Sequence, residues 1–322
     1  MLLNIGLIVL GLVFLVKGGD FLVDGATAIA RKAKVSEMVI GLTIVGFGTS
    51  TPELLVSLQA ALEGSSGLAI GNVVGSNIAN IALILGVTAL IVPCPTDKKT
   101  VFLDMGVMLF AIFAFTAVAL TGTISRTAGI VGFLILVGYV IFQIASSKTE
   151  QISDLQENVS TNNPKWKTSL WISLLLIVLG GVLLIYGAKF LVRGASEIAR
   201  QIGERRGTPA VEMERIIGLT IVAVGTSLPE LFASIMAAVK GKTDMAIGNI
   251  IGSVTFNILS VIGLSAAITP IYDTRDGFVT DYALMAALGV ILWIFLHSRF
   301  KLERWEGGVL LAIYVAYIAL ML

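Results

Sequence analysis

Apolar runs of twenty or more residues recur along the whole chain, and short polar stretches separate them. A helix of about 20 apolar residues spans the hydrocarbon core of a bilayer. The pattern predicts ten transmembrane helices, at about 2–30, 38–62, 68–92, 101–120, 128–145, 169–199, 214–239, 245–269, 279–297 and 307–322. The predicted fold class is therefore an all-α membrane protein. The apolar N-terminus has no basic region or cleavage site, so we interpret it as the first span and not as a removable signal.

Composition agrees with this pattern and argues against several functions. Of the 322 residues, 56% are hydrophobic and only 13% are charged, and the net charge of +1 gives no reason to expect nucleic acid as a partner. The single cysteine, Cys94, cannot form an internal disulfide. The single histidine, His297, argues against zinc, haem and histidine-based catalysis. We therefore expect no enzyme and no tightly bound cofactor.

An internal repeat organises the chain. Residues 41–93 align with 218–270 at a constant offset, and 27 of the 53 positions are identical. Upstream, GGDFLVDGATAIAR (18–31) parallels GAKFLVRGASEIAR (187–200). Because each half has five predicted spans, the second half enters the membrane from the opposite side, which is an inverted-topology repeat. The predicted organisation is a first repeat at 1–145, a cytoplasmic linker at 146–168 and a second repeat at 169–322.

The distribution of Lys and Arg predicts the orientation. The loops after odd-numbered spans hold thirteen of these residues, and the other side holds six. Positive loops stay in the cytoplasm, so both termini are expected outside, in a multi-pass protein of the cell (inner) membrane. The basic cluster from Arg200 to Arg215 is the exception to this count.

Helix breakers lie inside two predicted spans, in GFGTSTPELL (46–55) and AVGTSLPELF (223–232). Pro52 and Pro229 lack an N–H, so the carbonyl four residues earlier loses its helix partner. Orphan carbonyls within a bilayer are tolerated where they line a cavity, and they suit a desolvated cation. The bends are expected to loosen the neighbouring carbonyls of Gly46, Thr49, Ala223 and Thr226.

A carboxylate follows each proline. Glu53 and Glu230 have no Lys or Arg within one helical turn, and a charge inside a span indicates a functional site. The inverted repeat is expected to bring the two glutamates together at the centre of the membrane. A bound divalent cation, or two protons, would neutralise both carboxylates.

Polar residues at helical spacing surround these glutamates in both halves. They are Ser50, Asn72, Ser76 and Asn80 in the first half, and Ser227, Asn249, Ser253 and Asn257 in the second. Carboxylate, amide, hydroxyl and carbonyl oxygens are the ligands of hard cations, and Ca²⁺ takes six to eight of them. A structural role remains the alternative for each: Asn80 and Asn257 as contacts between helices, the serines bonded to their own helices, and Asn72 and Asn249 as supports.

At these motifs the sequence resembles the calcium/cation antiporter superfamily, and most closely the prokaryotic sodium/calcium exchangers. The resemblance rests on GTSTPE and GNVVGSNIAN in the first repeat and on GTSLPE and GNIIGSVTFN in the second. It implies that Glu53 and Glu230, with the carbonyls of Thr49 and Thr226, hold Ca²⁺. It also implies flanking Na⁺ sites and alternating access by sliding of spans one and six. The implied Na⁺ ligands are Ser50, Ser76, Ser227, Ser253 and the carbonyls near Gly46 and Ala223.

The sequence departs from some family members in the second polar motif. Asn80 and Asn257 stand where some members carry Asp, so the midplane charge comes from two glutamates alone. The proton-coupled branch usually carries Glu near the positions of Gly75 and Gly252, and its absence here favours Na⁺ over H⁺.

The predicted function is antiport of Ca²⁺ against Na⁺ by alternating access, in a lipid bilayer and within a single chain. The alternative is Ca²⁺/H⁺ exchange with Glu53 and Glu230 as proton carriers. A membrane hydrolase would need a nucleophile with a base, or metal ligands such as His, and the lone terminal histidine argues against it. A passive channel pore usually arises from several identical subunits, whereas an inverted repeat within one chain suits two exchanging states. Charged residues on the two long spans are expected to snorkel or to pair at i, i+4, and an ion funnel is the alternative. They are Lys17, Asp20 and Asp24 on the first span, and Lys189, Arg193 and Glu197 on the sixth.

Overall fold

The computed structural model describes residues 2–154, 169–206, 223–272, 274–275 and 277–321. Within these ranges the chain is helical, apart from two small strand pairs. The helices are α1 Leu2–Ala33, α2 Glu37–Thr49, α3 Thr51–Leu62, α4 Ser66–Ile91, α5 Thr100–Ala119, α6 Arg126–Asp154, α7 Leu170–Arg206, α8 Ala223–Thr226, α9 Leu228–Val239, α10 Thr243–Ile268, α11 Val279–Arg299 and α12 Arg304–Met321.

Eight of these helices are long and apolar enough to cross a membrane, and the pair α2 and α3 forms a ninth span that bends by 48°. They confirm a multi-pass helical membrane protein. The seventh predicted span, 214–239, is described only from residue 223, as α8 and the 12-residue helix α9. Most of its first half lies outside the described residues.

The fifth span lies where the sequence predicted it, at Arg126–Ser146 against 128–145. Its helix, α6, continues beyond the span to Asp154. The stretch SSKTEQISD contains no glycine or proline, so hydropathy falls there but nothing stops the helical backbone. The remainder of the predicted linker, 155–168, lies outside the described residues.

Two antiparallel strand pairs join loops that are distant in sequence. Strand β1 (Cys94–Pro95), after α4, pairs with β4 (Lys301–Leu302), between α11 and α12. Strand β2 (Thr123–Ile124), after α5, pairs with β3 (Ile271–Tyr272), after α10. Paired strands must lie on the same side of a membrane, so the two pairings constrain how many times the chain crosses between them.

Helices α4 and α10 form the centre of the molecule. In their most apolar segments 72% and 89% of the residues are buried, against 22–39% in the other single spans. Helix α10 packs very closely on α2, because a Cβ at Gly252 would lie 2.3 Å from the carbonyl oxygen of Leu42. This contact brings the polar motif of α10 beside the break between α2 and α3.

The long helices α1 and α7 lie antiparallel with glycines facing each other. A Cβ at Gly18 would lie 2.9 Å from the carbonyl oxygen of Gly180, and one at Gly11 would lie 2.8 Å from that of Gly187. These glycines recur every seven residues, and we call this contact the glycine seam. Its members are Gly11, Gly18, Gly25, Gly180, Gly187 and Gly194. Small residues at such spacing let two membrane helices approach backbone to backbone.

Candidate functional site

The two glutamates occupy equivalent positions just after a break in the helix. Glu53 lies in the first turn of α3 and Glu230 in the first turn of α9, and both side chains have 0% exposure. A proline precedes each of them at the start of its helix, where its missing N–H is tolerated. The positive end of the helix dipole therefore faces each carboxylate.

The breaks themselves occur at two serines. Ser50 has φ −84° and ψ 4°, and Ser227 has φ −91° and ψ 5°, so both leave the α-helical ψ range. Each serine still closes a turn, since Leu54 N–H donates to the Ser50 carbonyl at 3.1 Å and Leu231 N–H to that of Ser227 at 3.0 Å. The result is a sharp change of direction directly before the carboxylate.

Contacts between the two halves meet at these breaks. Ser50 Oγ donates to Glu230 Oε1 at 3.2 Å. Thr49 Oγ1 donates to Asn249 Oδ1 at 3.3 Å. The structure thus brings together the two motifs that the repeat predicted to meet.

Asn72 and Asn249 support the helices that carry the glutamates. Asn72 Nδ2 donates to the Glu53 carbonyl at 3.2 Å and to Ser57 Oγ at 2.8 Å. Asn249 Nδ2 makes the same two bonds in the second half, to the Glu230 carbonyl at 3.3 Å and to Ser234 Oγ at 2.8 Å. The structural interpretation of these two asparagines is confirmed, since each holds backbone and not carboxylate.

Several buried oxygen atoms around the glutamates have no hydrogen-bond partner among the described residues. Leaving one such group unpaired in an apolar interior costs about 1–3 kcal/mol, and more for a charged one. A hard cation would satisfy all of them at once, because every such atom is a carboxylate, amide or hydroxyl oxygen. They are both carboxylate oxygens of Glu53, Oε2 of Glu230, Oδ1 of Asn80 and Asn257, and Oγ of Ser227 and Ser253.

The donor set fits a transported ion better than a resident transition metal. The described residues contain no cluster of three or more His, Cys, Asp or Glu side chains. The site instead combines two carboxylates with neutral oxygens, and none of the ion pairs among the described residues includes Glu53 or Glu230. Two carboxylates without a cationic side chain need an ion or protons for neutrality.

Three further predicted ligands, Gly46, Ser76 and Ala223, have different outcomes in the structure. The expected loosening of the Gly46 carbonyl is wrong, because this oxygen accepts a hydrogen bond from Ser50 N–H at 3.0 Å. Ser76 is buried on α4, in the same helix as Asn80. Ala223 begins α8, and its side chain is outside the described part of the chain.

A cavity of about 190 Å³ lies beside the break in the second half. Thr226 lines it together with the two prolines of the motifs, Pro52 and Pro229. Lys189 and Val192 of α7 form its other wall. The cavity therefore reaches both motifs from one side of the molecule.

Asn80 and Asn257 lie in π-helical turns that the sequence did not reveal. The turn in α4 covers Ala79–Ile84, and the turn in α10 covers Asn257–Ile262. A π turn inserts one residue into a helix and often occurs at functional sites. Each turn packs against the glutamate-bearing helix of the other half, Asn257–Ile262 against α3 and Ala79–Ile84 against α9.

A charged cluster of Lys240, Asp20 and Asp24 was not predicted from the sequence. Asp20 and Asp24 were expected to pair within α1 or to line a funnel. Instead, Lys240 Nζ at the end of α9 lies 2.5 Å from Asp20 Oδ1 and 2.7 Å from Asp24 Oδ1. Only the i, i+4 spacing of the two aspartates was visible in the sequence, since their partner lies more than 200 residues away.

The sequence and the fold are both similar to those of known exchangers. The profile of the sodium/calcium exchanger protein family matches residues 3–145 and 172–322. The chain is 35% identical to the sodium/calcium exchanger MaX1 of Methanosarcina acetivorans, over 99% of this chain and 98% of the relative. It is 36% identical to the putative antiporter CaxA of Alkalimonas amylolytica, over 96% of each chain. A structure of the sodium-calcium exchanger NCX_Mj matches with a TM-score of 0.82 and 30% identity, covering 100% of this chain and 99% of that one.

Proposed function

Because this chain belongs to the sodium/calcium exchanger family, we propose that it moves Ca²⁺ across the membrane in exchange for Na⁺. The observation that carries this proposal is the pair of buried glutamates, one from each half, whose oxygens are mostly without partners. Their two negative charges balance one Ca²⁺. The protein is proposed to act as a transporter and not as an enzyme.

The ion ligands are assigned from both halves. Glu53 and Glu230 are proposed to hold Ca²⁺, with the carbonyls of Thr49 and Thr226 completing its shell. The unpaired amide oxygens of Asn80 and Asn257 support a place for these residues beside the ion. We propose that Na⁺ binds at flanking sites that share the two carboxylates. The further oxygens of these sites are the hydroxyls of Ser50, Ser76, Ser227 and Ser253 and the carbonyls near Gly46 and Ala223.

We propose ten spans arranged as two inverted repeats, 1–145 and 169–322, joined by a linker that begins near 146. The strand pairs support this count. Between β1 and β4 the chain passes through five long helices, α5, α6, α7, α10 and α11. Five crossings would leave β4 on the opposite side from β1. A sixth crossing, by the segment that contains α8 and α9, returns the chain to the same side. The pairing of β2 with β3 supports the same additional crossing. The matching bonds of Asn72 and Asn249 support the repeat itself.

The excess of Lys and Arg supports an orientation with both termini outside and the linker in the cytoplasm. In that orientation the Lys240 bridge to Asp20 and Asp24 lies on the cytoplasmic side of the glutamates. The cavity beside Thr226 then opens toward the outside, since its wall residue Lys189 is the repeat counterpart of Asp20. This arrangement supports a state in which ions enter from outside.

Exchange follows from the chemistry of a single shared site. Ca²⁺ and the counter-ion compete for the same carboxylates, so loading with one displaces the other. An unloaded site leaves two buried charges facing each other, which disfavours movement of the empty carrier. Coupling therefore arises because the site changes its access only when a cation neutralises Glu53 and Glu230.

The test is ⁴⁵Ca²⁺ uptake into proteoliposomes loaded with Na⁺ at constant pH, with ionophores present to clamp the voltage. We expect internal Na⁺ to drive uptake, and liposomes loaded with choline to show none. Uptake driven only by internal acid would replace this proposal with Ca²⁺/H⁺ exchange, in which the glutamates carry protons. Absence of uptake with either internal Na⁺ or internal acid would contradict Ca²⁺ antiport altogether.

A further inference from the structure

One buried amide of the site is not repeated in the second half. The asparagines at the two ends of the motif have identical counterparts 177 positions later, since Asn72 has Asn249 and Asn80 has Asn257. Asn77 does not, because its counterpart is Val254. Asn77 lies in α4 with 0% exposure, one turn before Asn80. A buried amide in a single half indicates a task that the other half does not share.

Asn77 links the site to a methionine in α11. Asn77 Nδ2 donates to Met285 Sδ at 3.6 Å, and Asn257 Nδ2 donates to Asn77 Oδ1 at 3.0 Å. All three side chains have 0% exposure. A thioether sulfur accepts hydrogen bonds but cannot donate one. The sulfur therefore directs the Asn77 NH₂ group toward itself, and the Asn77 carbonyl oxygen toward Asn257.

This chain of bonds determines which atom Asn257 leaves unpaired. Its NH₂ group faces Asn77, so its carbonyl oxygen is the atom that remains, and this oxygen has no donor among the described residues. The π turn that begins at Asn257 packs against α3, which carries Glu53. In the other half neither amide atom of Asn80 has a partner among the residues that the structure describes, so none of them fixes the direction of its side chain.

We propose that Asn77 is a positioning residue, which holds the Asn257 amide so that it presents its oxygen, and never its NH₂ group, to the transported cation. The inference rests on the proposed Ca²⁺ site. It makes the two asparagines unequal: Asn257 is a fixed oxygen ligand, whereas Asn80 selects its direction when the ion binds. Preorganisation of one ligand reduces the ordering cost of binding.

The experiment is a double-mutant cycle on the purified full chain, with the Ca²⁺ dissociation constant measured by calorimetry in Na⁺-free buffer. The substitution Asn77→Val installs the residue that the second repeat carries. We expect it to weaken Ca²⁺ binding roughly three- to tenfold, as the loss of one hydrogen bond implies. In an Asn257→Ala background the same substitution is expected to change the affinity by less than about twofold, since Asn77 then has nothing to orient.

An equal loss in both backgrounds would overturn the inference, because a purely structural role of Asn77 predicts additive losses. Met285→Leu provides a second route if Asn77→Val does not fold. It conserves volume, removes the sulfur acceptor and is expected to weaken binding two- to threefold, whereas unchanged affinity would contradict the bond chain. Failure of the unmodified protein to bind Ca²⁺ would instead contradict the proposed function.

Discussion

Ser50 Oγ donates a hydrogen bond to Glu230 Oε1 at 3.2 Å, although the two residues are 180 positions apart. The bond connects the helix break of one half to the carboxylate of the other. The Glu230 carboxylate is therefore positioned in part by the opposite repeat, so a change at Ser50 in the first half affects an ion ligand of the second.

Removal of this hydroxyl is expected to weaken Ca²⁺ binding. Ser50→Ala deletes a hydrogen bond to a carboxylate, a type that contributes about 1.5–3 kcal/mol, so the affinity should fall roughly tenfold or more. Ser50→Thr keeps the hydroxyl and is the matched comparison, expected to retain most of the affinity. Calorimetric titration with Ca²⁺ measures both. Equal affinities for the Ala and Thr variants would show that the hydroxyl does not hold Glu230.

Loss of either central charge is expected to abolish transport. Glu53→Gln and Glu230→Gln preserve shape but remove one of the two charges that balance Ca²⁺, and we expect ⁴⁵Ca²⁺ uptake to fall by at least about 100-fold. Glu63→Gln, at the exposed end of α3, is the control and should leave uptake unchanged. Undiminished uptake in either central variant, with the protein folded, would refute the site.

The support given by Asn72 is expected to appear as stability. Asn72→Ala removes bonds to the Glu53 carbonyl and to Ser57 Oγ and leaves an acceptor unpaired, at a cost of about 1–3 kcal/mol. Asn249→Ala should behave alike, because it makes the equivalent bonds. Thermal unfolding in detergent without Ca²⁺ measures the loss. A melting temperature equal to that of the unmodified protein would contradict the supporting role.

The two lysines that follow α9 are expected to anchor different helices. Lys240 bridges Asp20 and Asp24 of α1, whereas Lys242 Nζ lies 2.5 Å from Glu37 Oε1 at the start of α2. Lys240→Met should increase amide hydrogen exchange in the second half of α1, because that end of the helix loses its link to α9. Lys242→Met should increase exchange at the start of α2 instead. Indistinguishable exchange patterns in the two variants would contradict these separate anchors.

Two adjacent glycines of α7 are expected to differ sharply in tolerance. A Cβ at Gly180 would lie 2.6 Å from the Leu22 amide nitrogen of α1, whereas one at Gly181 meets no described atom within 4 Å. Gly180→Leu should therefore separate α1 from α7 and lower both the yield of folded protein and uptake. Gly181→Leu should be tolerated. Size-exclusion profiles and uptake compare the two, and a well-behaved Gly180→Leu protein would show that the contact is not needed.

The sequence predicted the centre of the site because its signals are local. Proline cannot donate to a helix carbonyl, and a carboxylate in an apolar run is costly, so Pro52 and Glu53 stand out without a structure. The repeat then provided the partner, Glu230. The exact position of the break did not follow, since it depends on how Ser50 closes its turn, and the Gly46 carbonyl remains bonded for that reason.

The features that the sequence missed depend on contacts between distant residues. The π turns at Asn80 and Asn257 arise from packing, and the hydropathy of their residues is that of an ordinary helix. The bridge from Lys240 to α1 joins residues whose own neighbourhoods give no reason to pair them. The extension of α6 to Asp154 has a different cause, because the helix continues after the apolar residues that predict a membrane span have ended.

The glycine seam has a mechanical consequence. At its glycines, main chain approaches main chain without a side chain between the two backbones, so little room is left there to absorb a displacement. A helix of 32 residues is about 48 Å long, so the two form a stiff double rod that is longer than the apolar thickness of a bilayer. A push on either helix at one face of the membrane is thereby transmitted to the other face. Lys240, at the end of α9, is bonded to α1, and Lys189 and Val192 of α7 line the cavity beside Thr226. The paired helices therefore connect the end of α9 mechanically to that cavity wall.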